Sequence, residues 1–271
     1  MEQIDMITGY HLAEQQFDKC LVTLNCFHGA EEVTLSPILS MDFPLAKEYF
    51  ESFPQHASCT NNDQDELILG DHYQEKEEAR ELLSPTCCYP LFKFAQEKKF
   101  LESKLYTVKN LCFRKEKIYE DWRRERSFRM REYIQFSTMS KTELWISQVI
   151  AEVKVFFDEM GFTVSVENAS DPFFSTKSLK GKLQRQQELK KEFVVDGLAI
   201  ASINFHLNSF CKKCEIMVDD QVGYSSCFGL GYHRFWYILT QKYGIDLSIK
   251  LLEEYINRKT KNRNRGELID V

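Results

Sequence analysis

Hydrophobic and polar residues alternate with a period of two along residues 105–113 and 127–137. Such alternation predicts two β-strands with one buried face each. The segment between them, residues 115–126, is highly charged. We therefore predict a long hairpin near the middle of the chain.

The faces of these two strands follow from the alternation, because successive side chains point to opposite sides. Cys112, Arg114 and Glu116 share one side of the first strand. One side of the second strand is apolar except for a single carboxylate: Phe128, Met130, Glu132, Ile134 and Phe136. Glu132 is the exception that matters, since a lone buried carboxylate is costly without a cation.

Apolar residues spaced three and four apart predict helices at 140–160, 235–243 and 247–256. Ser140-Lys-Thr-Glu143 is a capping box for the first of them, and Gly161 ends it. Its predicted buried stripe comprises Leu144, Ile146, Val149, Ile150, Val153 and Phe157. A Ser-Pro pair at residues 84–85 predicts another helix, running to about residue 101.

Short apolar runs predict further strands at 20–24, 163–167, 192–208 and 215–222. Long strands in hairpins, interrupted by helices that do not alternate strictly with them, are typical of an α+β fold with an antiparallel sheet. A Gly-x-x-x-x-Gly-Lys-Ser/Thr loop is absent from the sequence. A P-loop is therefore excluded as an ATP site.

Three charged segments interrupt the predicted elements. Residues 61–81 are acidic and predict a solvated insertion, and residues 259–265 predict a frayed basic tail. Residues 176–191 predict a basic helix, either a solvated face or a docking surface for an acidic partner. Overall, 41 acidic residues against 35 basic ones argue against a dedicated nucleic-acid binder.

The composition indicates a reduced cytoplasmic enzyme. Nine irregularly spaced cysteines do not form a disulfide pattern. Glu2 and Asp5 stand where a secretion signal would be cationic, and no apolar run approaches the roughly 18 residues of a membrane span. We expect one catalytic domain over residues 1–271.

Two arginines are candidates for phosphate chemistry. Arg114 lies at the end of a predicted strand, and Arg234 follows Gly229-x-Gly231 at the start of a predicted helix. Arginine donates bidentately to phosphate and keeps its charge, and a helix start favours anions. The alternative is that Arg114 pairs with a surface carboxylate and the glycines only form a turn.

Cysteine and carboxylate side chains are also candidates, because both can bind zinc and three ligands with an open position are typical of catalytic sites. Composition alone does not select Cys88, Glu132 and Cys227, and each cysteine could be a small buried hydrophobic residue. The single C-x-x-C, Cys211 and Cys214, favours a turn at a strand edge over a metal site.

A series of motifs makes a family resemblance specific. In order, the chain contains Tyr49-Phe-Glu-Ser-Phe-Pro54, Ser84-Pro-Thr-Cys-Cys-Tyr-Pro90, Cys112-Phe-Arg-Lys-Glu116, Phe128-Arg-Met-Arg-Glu-Tyr133, Asp171-Pro-Phe-Phe174, Ser202-Ile-Asn-Phe-His206 and Cys227-Phe-Gly-Leu-Gly-Tyr-His-Arg234. The series resembles the amino acid:[carrier protein] ligases. These are truncated relatives of the atypical zinc-dependent seryl-tRNA synthetases, in the class II superfamily.

The resemblance implies a role for each matching residue. It makes Cys88, Glu132 and Cys227 zinc ligands, with the open position for the α-amino group of the substrate. It assigns the ATP site to Arg114 at the α-phosphate, Glu116 near adenine, Arg124 in the loop that reaches the ATP tail, Phe128 stacked on adenine, Arg234 on the other face of adenine, and Ser202 in the strand that holds ATP.

The implied activity is activation of a small α-amino acid by magnesium-bound ATP and transfer to the phosphopantetheine thiol of a carrier protein. A homodimer is expected, and tRNA charging is disfavoured because no heptad-rich arm is present. A tRNA ligase and a non-catalytic class II-like domain remain alternatives. No acid lies between Ala199 and Asn208, where class II enzymes often place a magnesium ligand, and Glu215 is the nearest candidate.

Overall fold

The computed structural model describes residues 2–60, 81–169 and 188–264. Its helices are α1 (Glu2–Val22), α2 (Pro44–Ser52), α3 (Cys88–Ala95), α4 (Met139–Glu159), α5 (Ser209–Lys213), α6 (Tyr232–Tyr243) and α7 (Ile245–Asn264). Its strands are β1 (Glu31–Glu32), β2 (Ile38–Ser40), β3 (Ser58–Thr60), β4 (Glu81–Leu83), β5 (Lys99–Phe100), β6 (Lys104–Phe113), β7 (Ser127–Ser137), β8 (Ser165–Asn168), β9 (Lys190–Val195), β10 (Leu198–Leu207), β11 (Met217–Val218), β12 (Gln221–Val222) and β13 (Tyr224–Gly231).

A seven-stranded sheet in the order β1-β6-β7-β13-β10-β9-β8 forms the centre of the structure. All its neighbouring strands run antiparallel except β1, which runs parallel to β6 at one edge. The predicted α+β fold with an antiparallel sheet is therefore confirmed. The predicted hairpin is also confirmed as β6 and β7, with their bounds within one residue of the prediction.

Helices cover both faces of this sheet. The larger core lies on the face covered by α1, α4, α6 and α7 and includes Tyr133 of β7 and Phe228 of β13. The second core lies on the opposite face, under α2, α3 and α5, and includes Met130, Ile134 and Cys227. The alternation of β7 thus directs Glu132 to the face of the second core, which we call the site face.

The strand register aligns one row of residues across the site face. Directly opposed residues of antiparallel strands put their side chains on the same face. The row that passes through Glu132 consists of Val108, Glu132, Gly229, Ser202, Glu192 and Glu167.

Several local predictions were wrong because contacts distant in sequence override local signals. Residues 20–24, predicted as a strand, include the end of α1. The helix predicted from Ser84 begins at Cys88 and ends at Ala95, because the Ser84 amide donates to Pro37 O and its carbonyl accepts from Phe113 N. Ser84 therefore belongs to an extended connection.

Two predicted strands are hairpins of two strands each. Residues 192–208 turn at Asp196-Gly197, where both φ angles are positive (48° and 77°), the conformation that Asp-Gly favours in tight hairpins. Residues 215–222 turn at Asp219-Asp220, again with two positive φ values.

The helix predicted at 140–160 is α4, but it begins at Met139 after the N-cap Thr138, so the predicted capping box is wrong. Leu144 of the predicted stripe is 60% exposed, whereas Trp145 is buried. Residues 259–264, predicted as a frayed tail, continue α7. Lys190 and Lys191, predicted in the basic helix, lie on β9.

Residues 1, 61–80, 170–187 and 265–271 lie outside the described residues. They include most of the predicted acidic insertion and of the predicted basic helix. No helix among the described residues is both long and apolar enough to cross a membrane.

A buried ion pair joins α1 to the back of the sheet. Arg131 is 4% exposed and donates to Asp18 (2.6 Å) and to Glu32 (2.8 Å). Burial raises the pKa of Asp18, but Arg131 and hydrogen bonds from Lys109 and Tyr232 outweigh burial, and the net pKa lies below its usual value. Asp18 therefore stabilises the fold in its ionised form.

Asp18→Asn is expected to lower the free energy of unfolding by about 2 kcal/mol, because it leaves a buried guanidinium without its main partner. Glu32→Gln is the matched control: it removes the exposed partner of the same arginine and should cost less than about 1 kcal/mol. Urea unfolding near neutral pH measures both. The difference between wild type and Asp18→Asn should shrink as the pH falls below 3.8, the ordinary pKa of Asp18, because the carboxylate then becomes protonated. Equal costs for the two variants would contradict the assignment.

Candidate active site

Three ligand side chains from distant parts of the chain meet on the site face. Cys88 is the first residue of α3, Glu132 lies on β7 and Cys227 on β13. Their ligand atoms all lie within 4.8 Å of one another, and all three residues are buried. The structure therefore brings the predicted ligand set together.

The Glu132 carboxylate is only half satisfied. Oε1 accepts a hydrogen bond from the Cys87 amide at 3.1 Å, whereas Oε2 is buried without a hydrogen-bond partner. Burial, followed by the nearby Cys227, raises the pKa of Glu132 to about 8. A buried carboxylate oxygen with no donor is expensive unless a cation occupies its free side.

Gly229 leaves room for this carboxylate. It pairs with Glu132 in the sheet, and a Cβ built on it would lie 2.8 Å from Met130 Cε and 3.1 Å from Glu132 Cγ. The first glycine of the Gly-x-Gly motif is therefore required by close packing over the ligand strand.

The two thiols have different surroundings. Burial raises the pKa of Cys88, whose sulfur lies 3.1 Å from Thr86 Oγ1. A hydrogen bond from Cys88, together with His206 and Asn204, lowers the pKa of Cys227 despite its burial. The Cys227 sulfur lies 3.5 Å from His206 Nε2 and 3.7 Å from Asn204 Nδ2. Cys227 is thus the more acidic of the two thiols.

This donor set fits zinc. Two sulfurs and one carboxylate are accepted zinc ligands, and three protein ligands leave a fourth position for substrate. Cys87, the neighbour that could have been confused with Cys88, directs its sulfur toward Met130 O (3.3 Å) and Cys112 (3.8 Å). The geometry therefore favours Cys88 as the ligand.

Three arginines gather beside this cluster. Arg114 donates from Nε to Pro85 O (3.0 Å), and Arg234 donates to Arg123 O (2.7 Å) and Ala199 O (2.8 Å). Burial, and then the charges of Arg114 and Arg124, lower the pKa of Arg234 to about 10. Among the described residues, none of the three arginines Arg114, Arg124 and Arg234 forms an ion pair with a carboxylate. Three positive charges without a directly paired carboxylate favour an anionic ligand.

The remaining predicted nucleotide residues border the same arginines. Glu116 lies 4.0 Å from His56 Nδ1, a buried nitrogen without a hydrogen-bond partner. The ring of Phe128 has the Arg114 guanidinium above it, 5.0 Å from the ring centroid. Arg124 is exposed in the β6–β7 loop, where its amide donates to Glu120 O.

Glu192 is an acidic residue of the site face that the sequence did not indicate, and its Oε1 lies 3.1 Å from Lys190 Nζ. Glu215, the candidate from sequence, is exposed in the turn after α5. Glu192 lies on β9 directly opposite Ser202, and its charge raises the pKa of Arg234. The Asp196-Gly197 turn alone would place Lys191 opposite Ser202. An irregularity between Ala199 and Ala201 shifts the register by one residue and brings Glu192 there, and no sequence signal indicated that shift.

His206 and Asn204 were also missed as contributors to the site. Alternation along β10 puts them on the same face as Ser202, and both contact the Cys227 sulfur. His206 also bonds Ser225 Oγ through Nδ1 (3.1 Å) and stacks on Phe210 (centroids 4.5 Å apart). Such neighbours orient a ligand and tune its basicity.

No family model matches the chain, but comparison with known proteins finds related sequences. Amino acid–[acyl-carrier-protein] ligase 1 of Bradyrhizobium diazoefficiens is 26% identical over 84% of this chain and 76% of the relative. Ligase 2 of the same organism is 23% identical over 84% of this chain and 75% of the relative.

Solved seryl-tRNA synthetases share the fold. The M. kandleri enzyme, in complex with A. aeolicus tRNASec, has a TM-score of 0.73 at 15% identity and matches 94% of this chain. The Pyrococcus horikoshii enzyme, complexed with ATP, has a TM-score of 0.65 at 15% identity and matches 92% of this chain. The chain spans 56% of either synthetase.

The fold is thus that of a class II aminoacyl-tRNA synthetase catalytic core. Within that class, the sequence is similar to the amino acid–[acyl-carrier-protein] ligases. The resemblance first indicated by the motifs is confirmed.

Proposed function

We propose that this protein activates a small α-amino acid with ATP and transfers it to the phosphopantetheine thiol of a carrier protein. The observation that carries the proposal is the position of Arg114 next to the ligand cluster. Arg114 Nε donates to Pro85 O, three residues before Cys88, and its guanidinium lies 5.0 Å from the ring centroid of Phe128, which shares a face of β7 with Glu132. An amino acid held at the cluster would therefore present its carboxylate toward a nucleotide held by the arginines.

Cys88, Glu132 and Cys227 would hold a zinc ion, which supplies a Lewis acid for the amino group of the substrate. Arg114 would bind and orient the α-phosphate of ATP, and Arg234 would hold ATP from one face of adenine while adding positive charge near the phosphates. An oxygen of the substrate carboxylate attacks the α-phosphorus, the bond to the bridging oxygen breaks, and pyrophosphate leaves. Arg234 is already fixed by two backbone carbonyls, so its donors need little reorganisation as charge develops.

The second half-reaction releases AMP. The carrier thiol loses its proton to solvent, its sulfur attacks the acyl carbon, and the bond between that carbon and the AMP oxygen breaks. Magnesium would accompany ATP, with Glu192 and Ser202 as the oxygen donors that share a row of the site face. Catalysis would rest on positioning and charge stabilisation.

The partners follow from this proposal. The carrier protein is the acyl acceptor, and the basic residues within 176–191 are a candidate docking surface. A homodimer through the region around residues 43–54 stays a prediction; in this structure that region holds α2, which buries Leu45, Ala46 and Tyr49 in the second core.

A tRNA ligase is the second candidate, favoured by the shared fold with seryl-tRNA synthetases. The acidic balance of the chain disfavours tRNA as a partner. A non-catalytic domain is disfavoured by the half-satisfied Glu132, because a protein without metal would retain its cost and gain nothing from it.

Amino-acid-dependent exchange of pyrophosphate into ATP tests the proposal. We expect zinc-loaded protein to exchange with at least one small α-amino acid, and to aminoacylate a phosphopantetheinylated carrier but not tRNA. Intact-mass spectrometry of the carrier measures the thioester. Exchange with no amino acid would overturn the enzyme proposal, and charging of tRNA in place of the carrier would favour the second candidate.

A further inference from the structure

Three aromatic side chains, Trp122, Tyr10 and His233, form a cluster at the β6–β7 loop that we call the aromatic clasp. None of the three has a nucleotide contact in the proposed function. The Trp122 ring at the tip of this loop packs against both Tyr10 of α1 (centroids 5.4 Å apart) and His233 of α6 (5.4 Å). Tyr10 and His233 also meet edge to face at 5.0 Å. Three separate elements thus converge on one indole ring.

The backbone of the clasp is strained. Trp122 has a φ of 62°, the left-handed region that residues with a Cβ rarely adopt. Such a conformation persists only where its surroundings enforce it, and it concentrates at functional sites. Here the flanking amides close a tight turn, because Glu120 N donates to Arg124 O and Arg124 N donates to Glu120 O.

The residues beside Trp122 connect the clasp to the phosphate-binding arginines. Arg123 O accepts from Arg234 Nε at 2.7 Å, and Glu125 bonds His233 Nδ1. His233 and Arg234 are consecutive residues at the start of α6. Moving Trp122 would therefore move Arg124 and remove one of the two carbonyls that fix Arg234.

We propose that Trp122, gripped by Tyr10 and His233, is a positioning residue that keeps the nucleotide loop closed before ATP binds. The proposal deepens the function proposed above and rests on it. A loop that is already ordered pays little conformational entropy on binding, so removing the grip should weaken ATP more than the amino acid.

Calorimetric titration of zinc-loaded protein with magnesium ATP is the test, because it does not require turnover. Trp122→Ala should raise the Kd for ATP about tenfold or more, with the zinc content and the Kd for the amino acid unchanged. Trp122→Phe and Tyr10→Phe each keep an aromatic ring at their position, so each should retain most of the wild-type affinity for ATP. Tyr119→Ala is the matched control, because Tyr119 lies in the same loop but is 58% exposed.

The outcomes separate the two proposals. Unchanged ATP affinity in Trp122→Ala would overturn the clasp, even if the melting temperature were lower. A loss of ATP affinity equal to that in Tyr119→Ala would overturn it as well. Wild-type protein that binds ATP yet exchanges no pyrophosphate would overturn the proposed function. The clasp would then still be judged by the same binding measurements.

Discussion

Cys88→Ser is expected to abolish zinc binding and amino-acid activation, whereas Cys87→Ser should keep both. Cys88 belongs to the ligand cluster, and serine cannot replace it because its hydroxyl does not ionise near neutral pH. Loss of a neighbour that only orients a ligand costs roughly 10- to 100-fold in metal affinity, so loss of a ligand should cost more than about 100-fold. Metal analysis after chelator competition measures the affinity.

Cys87→Ser is a close control for this experiment. The two cysteines are adjacent and buried, but the Cys87 sulfur contacts Met130 O and Cys112. A serine hydroxyl can still donate to that carbonyl, and the Cys87 amide would still bond Glu132. If Cys87→Ser lost zinc while Cys88→Ser kept it, the ligand assignment would shift by one residue.

Arg114→Ala and Arg234→Ala are expected to lower kcat for adenylate formation by a factor on the order of 10³ each, because both remove a donor aimed at developing charge. The lysine variants should recover only part of the rate, since an ammonium group lacks the planar fork of arginine. Pyrophosphate exchange at saturating ATP measures the effect.

Arg129→Ala is the control for the loss of a positive charge on the same hairpin. Arg129 lies on the opposite face of β7, with its side chain half exposed and 3.5 Å from Glu14. We expect this variant to keep its rate within about threefold, because an exposed ion pair is worth less than about 1 kcal/mol. A rate loss in Arg129→Ala equal to that in Arg114→Ala would show that general electrostatics, and not phosphate contacts, set the rate.

Local patterns were sufficient for the part of the site that lies within single strands. Alternation alone directed Glu132 to an apolar face, and the structure confirms this face as the one that also holds Cys88 and Cys227. The hairpin of β6 and β7 was predictable for the same reason, since both strands are long and regularly patterned. The helix α1 was not predictable from the local pattern, because charged residues interrupt its apolar positions. One of them, Asp18, faces the sheet and pairs with the buried Arg131, a contact that only the tertiary structure shows.

The residues that sequence reasoning missed depend on register between strands. Glu192 is ten residues from Ser202 along the chain but directly opposite it in the sheet. His206 and Asn204 acquire a role only because β10 pairs with β13 and carries them to Cys227. A pattern within one strand contains no information on the order of strands or on their offset.

The sequence by itself determined which side chains could bind a metal and phosphate, and on which face of each strand they lie, because these properties depend on chemistry and on a two-residue repeat. The tertiary structure alone decided that the Cys88 sulfur and not the Cys87 sulfur faces the Glu132 carboxylate, that Glu192 lies opposite Ser202, and that the Trp122 ring packs against Tyr10 of α1. These are contacts between segments far apart in the chain, and their geometry is set by packing that no local pattern encodes.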